Sequence, residues 1–396
     1  LKILQICFRV PYPPHDGGAI AMYGITRNLA LAGHEVTVLA VNTPKHFQKD
    51  DVLRDIAELR TVFIDTSISP LGALKALAGN IPYIVKRFIS SDFEEALTSL
   101  LKNNHYDVIH FEGTYVAWYT DLVAKLTASP RILRSHNLEY QIWERLALTE
   151  KNPVKRWYYK KMASDLKKYE TEYYKKFDAI AAITQEDAER IRNLGIDTRI
   201  EFIPAGYDPD RFSYNPERKP EPGTCFILSA LNWIPNQEAM FWFLENVWPE
   251  VLKNVPDLQL HIAGKGTPEH IMNLKFPNVK IHGFVDDAVE FMYRYDLMLV
   301  PLLAGGGMRL KIIEGLALGK CIVSSPVGSE GINCTNGKNI LICTNPDEWI
   351  QSLTDFFQNR EKYYSLGAEA ANLAEEYYQN NNVISKLVSV YRQLSQ

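Results

Sequence analysis

Between Pro301 and Lys320 an apolar run ends in Gly305-Gly306-Gly307, continues through Met308-Arg309-Leu310-Lys311, and then takes helical spacing past Glu314. Glycine lets a backbone approach a ligand closely and adopt conformations closed to other residues. The amides that open a helix form an anion site, which the helix dipole favours further. Arg309 and Lys311 are expected in the first helical turn, where cations are normally unfavourable. A bound pyrophosphate would offset their repulsion. Lys311 and Glu314 are three apart and share a helix face, so Glu314 is placed to accept hydrogen bonds from a ribose diol beside that anion. The plain alternative is a tight turn with two solvated cations and a surface glutamate.

A second glycine loop, Tyr12-Pro13-Pro14-His15-Asp16-Gly17-Gly18, follows the first apolar run and precedes a helix expected from Ala19. It has neither the glycine spacing of dinucleotide folds nor the Gly-Lys-Ser/Thr of a P-loop. By itself it is equally a structural turn or a phosphate or sugar contact. His136 ends one strand-like run, and His110 and Glu112 end another. Polar groups at the carboxyl ends of parallel strands face the ligand crevice of an open sheet, so these three are candidates for sugar contact or proton transfer. A lone histidine is otherwise a satisfied structural group.

The elements that must position these residues alternate. In the first half, strand-like runs at 3–8, 35–41, 61–64, 107–111, 131–134 and 179–183 are separated by helical spacing at 20–32, 93–101 and 115–126. Such alternation means parallel strands with right-handed crossovers, an α/β doubly wound sheet. Residues 204–224 hold five prolines and two glycines and read as a linker. Alternation then restarts, with runs at 225–231, 258–263, 279–282, 297–302, 321–324 and 340–342. The expected organisation is a Rossmann-like domain over 1–204, a second over 205–378, and a last helical stretch, 379–396, that closes the second domain or packs back on the first. Two such domains on one linker would face their strand ends across a common cleft.

Bulk properties exclude several alternatives. A chain of 396 residues is too long for one ordinary core, and its net charge of -4 argues against nucleic acid, which is held by excess Lys and Arg. The five cysteines are odd in number and lack metal-ligand spacing, so reduced thiols in a cytoplasmic protein are expected. No leader-like segment opens the sequence and no run approaches the ~20 apolar residues that span a bilayer. Any membrane contact would be peripheral. For that, Lys151 to Phe177 stands out: nine Lys or Arg and five tyrosines among three acids. Helical spacing of cations and aromatics suits an anionic membrane surface; the alternative is a solvated helix whose tyrosines pack on the sheet.

Together these segments resemble the family 4 retaining glycosyltransferases, of GT-B fold. The resemblance rests on the Gly17-Gly18 loop, the Leu29-Ala30-Leu31-Ala32-Gly33-His34-Glu35-Val36 segment, Ile203-Pro204-Ala205-Gly206-Tyr207-Asp208, His282-Gly283-Phe284-Val285, and Gly305 to Glu314. It implies a nucleotide-sugar donor held by the second domain, with Asn236, Val285, Gly305, Gly306, Gly307, Met308 and Leu310 around it and Glu314 on the ribose. It further implies that Gly17 and Gly18 close on the diphosphate, that His136 lies near the donor sugar, and that no metal or other cofactor takes part. The acceptor would be a glycan, a lipid-linked glycan or a protein.

Two departures matter. The first glutamate of the family's usual pair would fall at Gly306, and the family's basic pair would fall at Leu231 and Asn236. A subgroup with Trp-x-Pro-Asn and Gly-x-Arg-x-Lys-x-x-Glu segments fits better, with Arg309 and Lys311 taking over diphosphate neutralisation. A sugar-nucleotide epimerase, or a scaffold that has lost catalysis, remain the rival readings.

Overall fold

A computed structural model describes residues 1–14, 17–69, 72, 79, 81–305 and 307–395. The chain divides into two compact units, Leu1–Ala205 with Val383–Gln396, and Gly206–Asn382.

The first unit is built on a seven-stranded sheet of β1 (Lys2–Cys7), β2 (Glu35–Asn42), β3 (Glu58–Phe63), β4 (Val108–Glu112), β5 (Arg131–Ser135), β6 (Ala179–Ala182) and β7 (Arg199–Phe202). All pairs are parallel, in the order β3-β2-β1-β4-β5-β6-β7. Both faces are covered, which is why β1, β4 and β6 read as unbroken buried runs and not as alternating ones. On one face, helix α1 (Gly17–Leu31) lays Met22, Ile25 and Leu29, spaced three and four apart, against Ile3, Val36 and Val38. The other face carries a helical hairpin, α2 (Glu139–Thr149) and α3 (Pro153–Tyr174), whose Tyr140, Leu166 and Tyr173 share a core with Ile109 and Leu133.

The second unit has six parallel strands: β8 (Glu221–Leu228), β9 (Gln259–Ala263), β10 (Val279–Gly283), β11 (Tyr295–Val300), β12 (Cys321–Ser324) and β13 (Leu341–Ile342). Their order is β10-β9-β8-β11-β12-β13. Helix α4 (Ile234–Asn246) buries Met240 and Phe243 with Ile227, Leu260 and Leu299. Helix α5 (Leu310–Ala317) lies so close on the sheet that a Cβ on Gly315 would stand 2.7 Å from Met298 Sδ. The last helix, α6 (Asn380–Leu394), gives Val383, Leu387 and Tyr391 to the core of the first unit, beside Ile3 and Val108.

In both sheets the winding reverses beside the first strand, between β1 and β4 and between β8 and β11. Ligands of open α/β sheets bind at the carboxyl ends of strands flanking such a reversal.

Several expectations change. The stretch expected as a linker already becomes strand at Glu221, because Pro222 and Gly223 (φ +68°) fall in the irregular start of β8, ahead of its pairing with β9 and where its pairing with β11 shifts register. Strand β7 has no strand-like run in the sequence reading; Arg199 and Glu201 interrupt its apolar residues and pair with each other at 2.8 Å. The expected helix at 115–126 begins as a 3-10 turn over Thr114–Tyr119. All five cysteines are free. Among the described residues no helix is long and apolar enough to cross a membrane.

Candidate functional site

In the second unit the loops after β8 and β11 meet at the winding reversal. The β11 loop is anchored by Ser325, whose amide donates to the Val300 carbonyl at 3.1 Å and whose hydroxyl donates to that of Leu302. Beyond it, Gly305 (φ +138°) and Gly307 (φ +77°) adopt conformations that disfavour any side chain. Gly306 lies outside the described residues. The β8 loop is held by Asn236, whose amide donates to the Ala230 carbonyl at 2.8 Å, and by Gln237, which donates to that of Leu231 at 2.7 Å. This brings half-exposed Trp233 over the glycines: a Cβ on Gly305 would stand 3.1 Å from Trp233 Cη2 and 2.6 Å from Arg309 Nη2.

The helix begins one residue later than expected. Arg309 is the extended residue before α5, so only Lys311 of the two cations lies in its first turn. An extended Arg309 can fold back, and its Nη1 donates to the Gly307 carbonyl at 2.6 Å. Met308 and Leu310 flank it, half-buried. Lys311 and Glu314 are also half-buried, and neither side chain has a hydrogen bond or ion pair with a described residue. Burial, with help from the Arg309 charge, lowers Lys311 to about 7. Burial raises Glu314 to about 7, against the pull of Arg211. Both groups therefore have a charged form that an added partner would stabilise.

Not every expected residue is gathered here. Asn236 has its amide engaged by the loop, a supporting role. Val285 follows β10, three strand spacings or about 14 Å across the sheet from β11, so only an extended ligand reaches from it to the glycine loop. A separate cavity of about 550 Å³, lined by Tyr214, Arg218, Asp296, Lys320 and Arg360, opens at the amino ends of β11 and β12, the opposite edge from the glycines.

In the first unit, Gly17 and Gly18 are the first residues of α1, two positions earlier than the expected start. His110, Glu112 and His136 come together at the β1–β4 reversal, with two partners that no sequence motif marks, Gln5 and Tyr391. Glu112 is fully buried and accepts from Gln5 Nε2 at 2.8 Å, His110 Nε2 at 3.0 Å and His136 Nε2 at 2.6 Å. Burial alone would raise this carboxyl, but the two histidines outweigh it and hold Glu112 well below the usual range. Burial lowers His136 in spite of Glu112. One proton assignment satisfies every contact: an ionised Glu112, with His136 and His110 each donating from Nε2. His110 Nδ1 then accepts the Tyr391 hydroxyl at 2.5 Å, and Gln5 accepts that of Thr26 at 2.7 Å. The same assignment leaves His136 Nδ1 as an acceptor. Arg134, also buried, donates to the Pro204 carbonyl at 3.1 Å.

Among the described residues no cluster of His, Cys, Asp and Glu has the makings of a metal site.

Two family profiles match the chain, one described as Glycosyltransferase Family 4 over residues 15–211 and one as Glycosyl transferases group 1 over 223–359. An uncharacterized 44.6 kDa protein in the cps region of Klebsiella pneumoniae is 23% identical, with 98% of each chain covered. Among solved structures, HepE from Anabaena in complex with UDP superposes with a TM-score of 0.70 at 12% identity, over 99% of this chain and 100% of that one. Sucrose-phosphate synthase from Thermosynechococcus elongatus gives 0.69 at 16% identity, over 99% and 98%. HepE has also been solved with UDP-glucose, and that structure gives 0.66 at 13% identity, with 99% of each chain covered. Two doubly wound parallel sheets, a glycine loop at the reversal of the second, and profiles matching both units place this chain in the GT-B glycosyltransferase superfamily.

Proposed function

We propose that this protein moves a hexose from a nucleotide-sugar donor to a hydroxyl of a glycan, a lipid-linked glycan or a protein, with retention of configuration. The observation that carries the proposal is the half-buried pair of Lys311 and Glu314 on the helix that follows the glycine loop, neither with a hydrogen bond or ion pair among the described residues. An ammonium and a carboxylate on one face of a helix that opens after a glycine loop match a diphosphate and a ribose diol. Solved complexes of HepE with UDP and with UDP-glucose support a uridine donor.

In the proposed reaction the bond from the anomeric carbon to the diphosphate oxygen breaks and the diphosphate leaves with the electron pair. The acceptor oxygen bonds that carbon and gives up its proton. Lys311, Arg309 and the amides that open α5 stabilise the charge growing on the diphosphate, so neither a metal nor a further cofactor is part of the proposal. Fixed cations at developing charge are each worth ~3 kcal/mol, about a hundredfold in turnover. Retention, the closing of Gly17 and Gly18 on the diphosphate and the sugar-side role of His136 rest on the family resemblance. Unbridged cysteines support a cytoplasmic setting.

Incubation with a panel of nucleotide sugars and acceptors tests the reading. Free nucleoside diphosphate with a glycosylated product is expected. An altered sugar still joined to its nucleotide would instead show an epimerase, and binding without turnover a scaffold. Glu314→Ala is expected to weaken donor binding by ~1 to 3 kcal/mol through lost hydrogen bonds to a charged group. Unchanged affinity in a calorimetric titration would remove Glu314 from the site.

A further inference from the structure

The tip of the helical hairpin formed by α2 and α3 has a surface that folding does not explain. Leu146, Leu148, Val154 and Trp157 are 43%, 81%, 72% and 58% exposed, four large apolar side chains within twelve residues. Exposed apolar residues scattered singly need no explanation, but a cluster marks an interaction surface. The same stretch, 145–160, carries Arg145, Lys151, Lys155, Arg156 and Lys160 against one acid, Glu150, in a chain whose net charge is -4.

The exposure does not come from a loose turn. Asn152 caps α3 by accepting from the amides of Val154 at 3.0 Å and Lys155 at 3.1 Å. Glu150 accepts from the Asn152 amide at 2.8 Å, and the Glu150 carbonyl accepts from Arg156 Nε, also at 2.8 Å. Pro153 opens the helix, and its first turn contains no acid to balance the positive dipole end. The hairpin thus holds its apolar residues outward within a positive field.

Of the two alternatives for 151–177, tyrosines packed on the sheet describe its second half. Tyr169, Tyr173 and Tyr174 are buried in the core of the first unit, so the second half of α3 is structural.

We propose that the tip, from Arg145 to Lys160, docks on an anionic lipid membrane, with Leu148, Val154 and Trp157 entering the interface and the lysines and arginines meeting headgroup phosphates. Apolar side chains flanked by cations are the chemistry of peripheral insertion. The excess of positive charge sets this occupant apart from a second copy of the chain, whose identical tip would bring five cations and one acid against the same set. The inference stands on the surface alone and does not depend on the donor reading.

Co-sedimentation of the full chain with phosphatidylcholine vesicles, with and without phosphatidylglycerol, tests it. The wild-type chain is expected to partition onto the anionic vesicles at least tenfold better than onto the neutral ones and to be released by salt. Two exposed-site variants separate the contributions: Leu148→Ser with Trp157→Ser removes apolar contact, and Lys155→Glu with Lys160→Glu reverses charge. Each is expected to lower partitioning about tenfold or more while leaving the thermal melt unchanged. Equal partitioning onto both vesicles, or variants that bind as the parent does, overturns the proposal. So does failure to bind vesicles together with a dimer, seen by sedimentation velocity, that the apolar variant abolishes.

Discussion

At the level of single residues, Lys311 is a cation whose charge the protein itself opposes. Burial and the neighbouring Arg309 bring it to about 7, so at pH 8 most of it is neutral in the free protein. A diphosphate favours the charged form and draws a proton in as it binds. Affinity for a nucleoside diphosphate should therefore fall as pH rises above 7. Calorimetry at pH 8 in two buffers of different ionisation enthalpy should give different apparent enthalpies, and Lys311→Met should remove the difference. Identical enthalpies with the wild-type protein would mean that Lys311 does not meet the anion. Glu314 is the opposite case, a carboxyl raised to about 7 by burial, which is anionic at pH 8 and ready to accept from a diol. Both residues were legible in the sequence because loop, cation and carboxylate are contiguous. In the cluster around Glu112, the residues His110, Glu112 and His136 were legible as polar groups at strand ends, but their meeting was not. The ring of donors on Glu112 comes from Gln5, His110 and His136, and Tyr391 reaches His110 across 281 positions. No local pattern encodes such a meeting.

At the level of elements, the carboxyl edge of the second sheet depends on backbone approaches that only glycine permits. Gly264, just past β9, donates its amide to the Gly283 carbonyl at 2.7 Å. A Cβ there would lie 1.6 Å from the Ser229 carbonyl oxygen, which belongs to the loop carrying Trp233. Backbone on both sides cannot yield as a flexible side chain does. Gly264→Ala should force the β8 and β9 ends apart, cost roughly 1 to 3 kcal/mol of stability, and weaken nucleotide binding through the displaced Trp233 loop. A melt within a degree of the parent and an unchanged nucleotide titration would show that the edge is more compliant than its geometry implies. Strand runs were readable because parallel strands covered on both faces are nearly all apolar. Element ends were not, since Arg309 looks helical by propensity yet sits extended where its guanidinium returns to Gly307.

At the level of the whole molecule, the two units are separate in core but not in sequence. The apolar positions Val383, Leu387 and Tyr391 announce a buried helix face, yet nothing local to them says which core receives it. In the structure they complete the first unit, packed with residues from its opening strand. That unit consequently closes only once the last fifteen or so residues exist, while the second needs none of them. Leu387, with no exposed surface, is the direct probe. Leu387→Ala should cost ~2 to 5 kcal/mol, the range for a large core side chain cut to a methyl. The loss should stay in one unit: peptides from β1 and β4 should exchange their amide hydrogens faster, and peptides from β8 and β11 at the parental rate. Nucleotide affinity, proposed for the second unit, should survive the substitution, whereas transfer, for which His136 is proposed to lie on the sugar side, should fall. Uniformly faster exchange in both sheets would mean that the chain unfolds as one cooperative body, and the division read from its cores would not describe its energetics.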